Sequence, residues 1–164
     1  MIPTSIPLEQ LLVYIKPSGT LEQWAQAVCN VTSLLSESSL TTFYRLPKTQ
    51  INRGKKVNYL YLHAQIGHSA APERIPSNTE FLQAAVGCDA AVLQNSPEGP
   101  FPQILMNPDM KSGIAVVLGR KAPYQGLLIA NFTAAYHYTG RTIELFEQIR
   151  TLVKHSPQAS GGKK

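Results

Sequence analysis

The sequence predicts an α+β domain, a sheet with two unlike sides clad by helices. Three observations predict it. Apolar and polar residues alternate through positions 57–66. A β-branched run over 114–118 is followed, across a turn, by a second apolar run over 127–132. Two amphipathic stretches with helix-start signals, at Thr20 and near Thr139, flank these strands. Period-two patterns mark strands, and a stripe of period 3.6 marks a helix that buries one face.

The totals agree. A chain of 164 residues fits one domain with short tails. We expect an N-terminal helix and connector over 1–19, the domain over 20–155 and a polar, Gly-rich tail over 156–164. With 43% hydrophobic and 15% charged residues the chain is not compositionally disordered. Its two cysteines, Cys29 and Cys88, form no CxxC pair, which excludes a zinc ribbon or a thioredoxin motif. The first residues show no basic stretch followed by an apolar one, and the longest apolar run, 11–15, is too short for a bilayer. The expectation is a cytoplasmic protein with reduced thiols and no membrane contact. Formal net charge is +5, with Arg45, Lys48, Arg53, Lys55 and Lys56 close together. These read as a solvated hairpin loop; no aromatic residue interleaves them, which argues against a nucleic-acid partner.

Taken in order, Leu8, Leu11, Leu12 and Ile15 predict a short helix ended by Pro17 and Gly19. Thr20 to Gln23 is a capping box, after which Leu21, Trp24, Ala25, Val28, Val31 and Leu35 trace a stripe. Residues 40–46 alternate, with Leu40, Thr42, Tyr44 and Leu46 opposite Thr41, Phe43 and Arg45. In 57–66, Leu60, Leu62, Ala64 and Ile66 point one way and Tyr59, Tyr61 and His63 the other. Asn52 to Gly54 makes the two a long-looped hairpin. Residues 68–76 read as loop. A second capping box, Ser77 to Glu80, opens a short helix closed by Gly87. A strand over 90–94 follows, then a Pro/Gly-rich loop over 96–102 and an apolar segment, 103–107, too short to type. Residues 114–118 and 127–132 form a second hairpin. In the last helix Ile143, Phe146, Ile149 and Val153 share a side, with Tyr138 and Ile143 placed as a hydrophobic staple.

This order resembles that of GAF domains. The similarity is carried by 112–118 and 126–132, which resemble two late central strands, by Tyr138-Thr139 with 143–149, which resemble the closing helix, and by 80–95. The resemblance covers about 20–153. It implies a central five- or six-stranded antiparallel sheet, N- and C-terminal helices on one face, and a ligand-sized pocket under loops on the other. It also implies a small-molecule ligand or dimerisation inside a signalling protein. The Asn-Lys, Phe and Asp-Glu pattern of the cyclic-nucleotide subgroup is absent. Cys88 precedes Asp89 rather than the His of the bilin subgroup. The related free methionine sulfoxide reductases cluster several cysteines, whereas this chain has Cys29 and Cys88 alone.

The flat, polar-tipped row Tyr59, Tyr61 and His63 is a candidate ligand wall, completed by Tyr44, Phe81, Leu82 and Asn131. The plainer alternative is a half-buried polar sheet face under the terminal helices. Cys88 follows a helix C-terminus, the wrong end to activate a thiol, and Cys29 reads as core. His63, His68, His137 and His155 show no metal-ligand spacing, and no nucleophile elbow, phosphate loop or dinucleotide fingerprint occurs. The sequence therefore predicts a non-enzymatic sensory or regulatory module. It binds a small molecule of unknown identity or dimerises through 8–15 and 143–153. The alternatives are a thiol-dependent reductase and a ligand-free scaffold.

Overall fold

The computed structural model describes residues 20–45, 59–67, 69–76, 80–87, 91–118, 126–135 and 140–155. The expected helix over 7–15, most of the basic loop, Cys88 and the tail lie outside them. The elements run α1 (Leu21–Ser36), β1 (Leu40–Arg45), β2 (Tyr59–Gly67), β3 (Arg74–Pro76), α2 (Glu80–Gly87), β4 (Val92–Gln94), a 3-10 turn (Pro102–Ile104), β5 (Ser112–Leu118), β6 (Gly126–Phe132) and α3 (Gly140–His155). The six strands form one sheet in the order β3-β2-β1-β6-β5-β4, antiparallel throughout.

Helix α1 starts where its cap predicts. The Thr20 hydroxyl accepts the Gln23 N–H at 3.1 Å, and the Gln23 side chain accepts the Thr20 N–H at 3.0 Å. Its stripe buries Trp24, Ala25, Val28, Cys29 and Val31 against Phe43, Ala64, Ile114, Val116, Leu118, Leu128, Ala130 and Phe132 of the sheet. Phe146 and Ile149 of α3 close the same layer, so both helices clad one face. Burying a side chain of this size contributes about 1.5–3 kcal/mol. Trp24 meets Phe43 edge to face, with ring centroids 5.5 Å apart and planes at 83°. The Phe43 ring in turn lies over Gly126, where any Cβ would collide with it. The side chain that fills this corner therefore requires the glycine.

A second cluster lines the opposite face: Leu40, Tyr44, Leu60, Val92, Ala115, Val117, Leu127 and Ile129, covered by Ala85 of α2 and by Ile104, Met106 and Met110 of the long loop. Strands β5 and β6 are buried along their whole length, which accounts for their continuous apolar character.

Two expectations need correction. Residues 74–76, read as loop, form edge strand β3, pairing Tyr59 with Pro76, Leu60 with Ile75 and Tyr61 with Arg74. Three residues are too few to show alternation, and at a sheet edge the missing N–H of Pro76 costs no ladder bond. The unbroken alternation over 57–66 also fails. Tyr44 pairs with Leu62 but Phe43 with Ala64, so His63 is the extra residue of a β-bulge. Leu60 and Leu62 face the loop side, whereas Ala64 joins the helix side. Strand β2 ends at Gly67, whose φ of +153° and contact with the Ser39 carbonyl, 2.5 Å from an added Cβ, exclude a side chain.

Candidate functional site

Strand parity sorts the candidate residues onto two walls. Tyr44 and Asn131 face the loop side; Tyr59, Tyr61 and His63 face the helix side. The row expected from sequence is thus not one surface with Tyr44. Phe81 and Leu82 belong to α2, whose described residue Ala85 packs onto the loop-side cluster.

On the helix side, His63 Nδ1 lies 3.0 Å from Glu22 Oε2 of α1, and its side chain is only 16% exposed. Tyr61 is open to solvent and Tyr59 half-buried, with the Arg74 guanidinium 4.3 Å above its ring centroid. His63 therefore reads as a satisfied polar residue at a helix–sheet contact, and no concave wall joins it to Tyr44.

The loop side is built by buried amides that sequence reasoning missed, apart from Asn131. Residues 95–111 cross that face as a strap, and each crossing is tied by a side chain reading backbone. Asn131 is fully buried; its Oδ1 accepts the Met106 N–H at 2.7 Å and its Nδ2 donates to the Ile104 carbonyl at 3.0 Å. Gln94, also fully buried, donates to the Ser96 carbonyl at 2.8 Å and accepts the Phe101 N–H at 2.6 Å. Asn107 donates to Ser69 Oγ and the Ala70 carbonyl, at 3.0 and 3.1 Å, which joins this strap to the 69–73 loop. Tyr44 donates its hydroxyl to the Pro72 carbonyl at 2.7 Å and touches Met106 Sδ at 3.5 Å. Gly113 is the saddle of the strap: a Cβ there would stand 2.5 Å from Ile104 Cγ2 and 2.7 Å from Asn131 Nδ2. The signal for Gln94 was a polar amide closing the apolar strand that begins Val92-Leu93; Asn107, in a loop, gave none.

Thr42 lies between Leu40 and Tyr44 on the loop-side face of β1, paired with Ile129 of β6. It is fully buried, and its hydroxyl has no hydrogen-bond partner among the described residues. A buried hydroxyl without a partner costs about 1–3 kcal/mol; the other one among the described residues is that of Thr32 on α1. Burial pushes the Tyr44 phenol well above its ordinary value, which keeps it a neutral donor. Cys29 is the cysteine among the described residues. It is fully buried among the α1 contacts, and desolvation holds its thiol far above the ordinary range, which leaves no thiolate for chemistry. Among the described residues no three His, Cys, Asp or Glu side chains are grouped to hold a metal ion. No described helix is long and apolar enough to cross a membrane.

No protein-family model matches the chain, and no curated protein matches it in sequence. Its structure is similar to many solved ones. One is a free methionine-R-sulfoxide reductase from Neisseria meningitidis in complex with its substrate (TM-score 0.71, 16% identity, covering 93% of this chain and 87% of that one). Another is the phycoerythrobilin-bound GAF domain of a cyanobacterial phytochrome (TM-score 0.68, 14% identity, 95% and 96% covered). A third is the GAF domain of a phosphoenolpyruvate-protein phosphotransferase from Coxiella burnetii (TM-score 0.63, 13% identity, 90% and 86% covered). The fold is GAF-like, as the resemblance in 112–132 and 143–149 implied.

Proposed function

We propose that this GAF-like domain is a non-enzymatic regulatory module that holds a small, uncharged molecule on the loop side of its sheet. The observation that carries the reading is Thr42: a buried hydroxyl with no partner among the described residues, two residues from Tyr44 on the same face. Tyr44 and Thr42 would hydrogen-bond the guest, Asn131 would hold the strap over it, and Phe81 and Leu82 of α2 are assigned to its apolar wall. Tyr59, Tyr61 and His63 leave the site, because they face the other side. Solved proteins of this fold support the reading, since one is described in complex with its substrate and another with a bilin. The guest biases the arrangement of strap and α2, and a following domain reads that population shift.

Thr42→Val tests it. The isosteric apolar side chain removes the hydroxyl without opening a cavity, so the empty protein should be as stable as wild type or slightly more so. Denaturing mass spectrometry of the purified wild type should release a small molecule that the variant no longer carries. If no molecule is released, and none of a metabolite panel raises the wild-type melting temperature, the ligand reading fails.

The likeness to the Neisseria reductase favours a second reading, a thiol-dependent reductase. Cys29 is unsuited to it, so Cys88 would have to be the nucleophile. Turnover of free methionine sulfoxide by the wild type, abolished in Cys88→Ser, would establish that chemistry; absence of turnover removes it.

A further inference from the structure

Charge on this chain is unevenly placed. Lys and Arg number 15 against 10 Asp and Glu, and the connection from Arg45 to Tyr59 carries Lys48, Arg53, Lys55 and Lys56 with no acidic residue. Along the chain no aromatic residue stands among these cations, but the sheet changes the neighbours. Arg45 of β1 pairs with Tyr61 of β2, and Tyr61 pairs with Arg74 of β3. Residues directly opposite one another across strands share a face. Arg45, Tyr61 and Arg74 therefore form one row on the helix side, a ring between two guanidinium groups. Three strands side by side make that row about 10 Å across. Tyr59, two residues before Tyr61, adds a second ring, with the Arg74 guanidinium 4.3 Å from its centroid. The row is open: Arg45 and Arg74 are exposed, and Tyr61 is 53% exposed. Helix α1 meets β2 further along, where Glu22 reaches His63.

We propose that the row Arg45, Tyr61 and Arg74 is a binding surface for single-stranded nucleic acid, held by backbone charge and base stacking rather than by base identity. Proteins that bind single strands without sequence preference combine cations that track the phosphates with aromatic rings on which bases stack. Both parts are present here within one row. The guanidinium fork matches the oxygens of a phosphate, and Arg45 and Arg74 stand on either side of the ring. Stacking on Tyr59 engages the flat face of the Arg74 guanidinium, while its N–H donors lie around the rim, directed at an anion in solvent. Every base has a π-face, so the exposed Tyr61 ring accepts any of them. In a duplex those faces are stacked against one another, and the row would meet phosphates alone, which favours a single strand. An anionic lipid surface would use the same cations, but peripheral attachment to it needs an apolar face to bury. Leu60 and Leu62, the aliphatic residues that flank Tyr61 along β2, point to the loop side instead. The row lies on the face opposite Thr42 and Tyr44, so neither proposal depends on the other.

Fluorescence anisotropy of a labelled oligo-uridylate of about 20 nucleotides, titrated with the full chain at several salt concentrations, tests the proposal. The wild type should bind with a Kd of about 1–100 µM, weakening as salt rises. Arg45→Gln and Arg74→Gln should each weaken binding several-fold and lower the log–log salt slope by about 0.7, the loss of one phosphate contact on a single strand. Tyr61→Ala should weaken it about tenfold and leave the slope unchanged, because a stacked base releases no counterion; Tyr61→Phe, which keeps the ring, should bind as wild type. On a duplex of equal length the penalty of Tyr61→Ala should vanish. Circular dichroism melts check that each variant is folded, and the exposed Arg45 and Tyr61 carry the test should Arg74→Gln unfold the chain. Absence of binding at about 1 mM protein in low salt overturns the proposal. So does an affinity indifferent to Tyr61→Ala, which would leave only the net charge of the chain at work. Vesicles of phosphatidylserine and phosphatidylcholine that capture the chain while the oligonucleotide does not would reassign the row to a lipid surface and overturn it as well.

Discussion

The two faces of this sheet are covered in opposite ways. On one, helices α1 and α3 lie on a layer of apolar contacts centred on Trp24, Phe43 and Phe146. On the other, loops are strapped down by buried amides, Asn131 and Gln94, each bonded at both ends to main chain. Apolar burial is non-directional and roughly proportional to area, so the helix side gains stability from every residue of the stripe. An amide clamp depends on direction and leaves two orphaned backbone groups when it fails. The helix side is therefore expected to govern global stability, and the loop side to govern which local arrangement is populated.

The largest effect should come from the helix side. Trp24→Ala removes the side chain that fills the corner above Phe43 and leaves a cavity between α1 and the sheet. The expected loss is about 3–5 kcal/mol, read from urea unfolding, with all probes shifting together. A loss under 1 kcal/mol would erase the contrast between the faces.

Asn131→Leu should cost about 2–4 kcal/mol, because the Met106 N–H and the Ile104 carbonyl lose their partner while buried. Its signature should be local. Hydrogen exchange over 104–110 should accelerate well before the β5 and β6 amides do. Asn131→Asp, which keeps the acceptor for Met106 but loses the donor to Ile104, tells the two bonds apart. If exchange rises uniformly across the sheet, the strap is part of the global core and the comparison breaks.

The same contrast explains what was legible in the sequence. The helix side announces itself because apolar burial writes a period: the stripe from Trp24 to Leu35, the Phe146/Ile149 spacing and the runs in β5 and β6 all read directly. The capping box at Thr20 was legible because its two hydrogen bonds join residues three apart. The Asn131 clamp was not, because its bonds join residues 25 or 27 apart, and a strand asparagine looks the same whether it clamps a loop or faces water. Asn131 was singled out as a ligand contact; the structure shows it spending both ends of its amide on the protein. The bulge at His63 was hidden for a related reason. Alternation predicts faces only while register holds, and register is set by β1, a separate stretch of chain. That one slip moved Ala64 to the helix side, and strand parity set Tyr59, Tyr61 and His63 on the wall opposite Tyr44.

The smallest effect should be a gain. Helix α1 ends at Glu37, which adopts φ 57° and ψ 37°, the left-handed conformation that closes helices, so that its N–H reaches the Ser33 carbonyl at 2.8 Å. Among the described residues it is the one side chain other than glycine held at positive φ. An L-residue there carries a steric cost that glycine avoids, and Glu37 is exposed, so its replacement loses no burial. Glu37→Gly should therefore raise stability by about 0.5–1 kcal/mol. Because α1 belongs to the helix side, the gain should appear in global unfolding and leave exchange in the strap unchanged. A gain confined to the strap, or a loss of stability, would show that the end of α1 is not coupled to the core in the way its stripe implies.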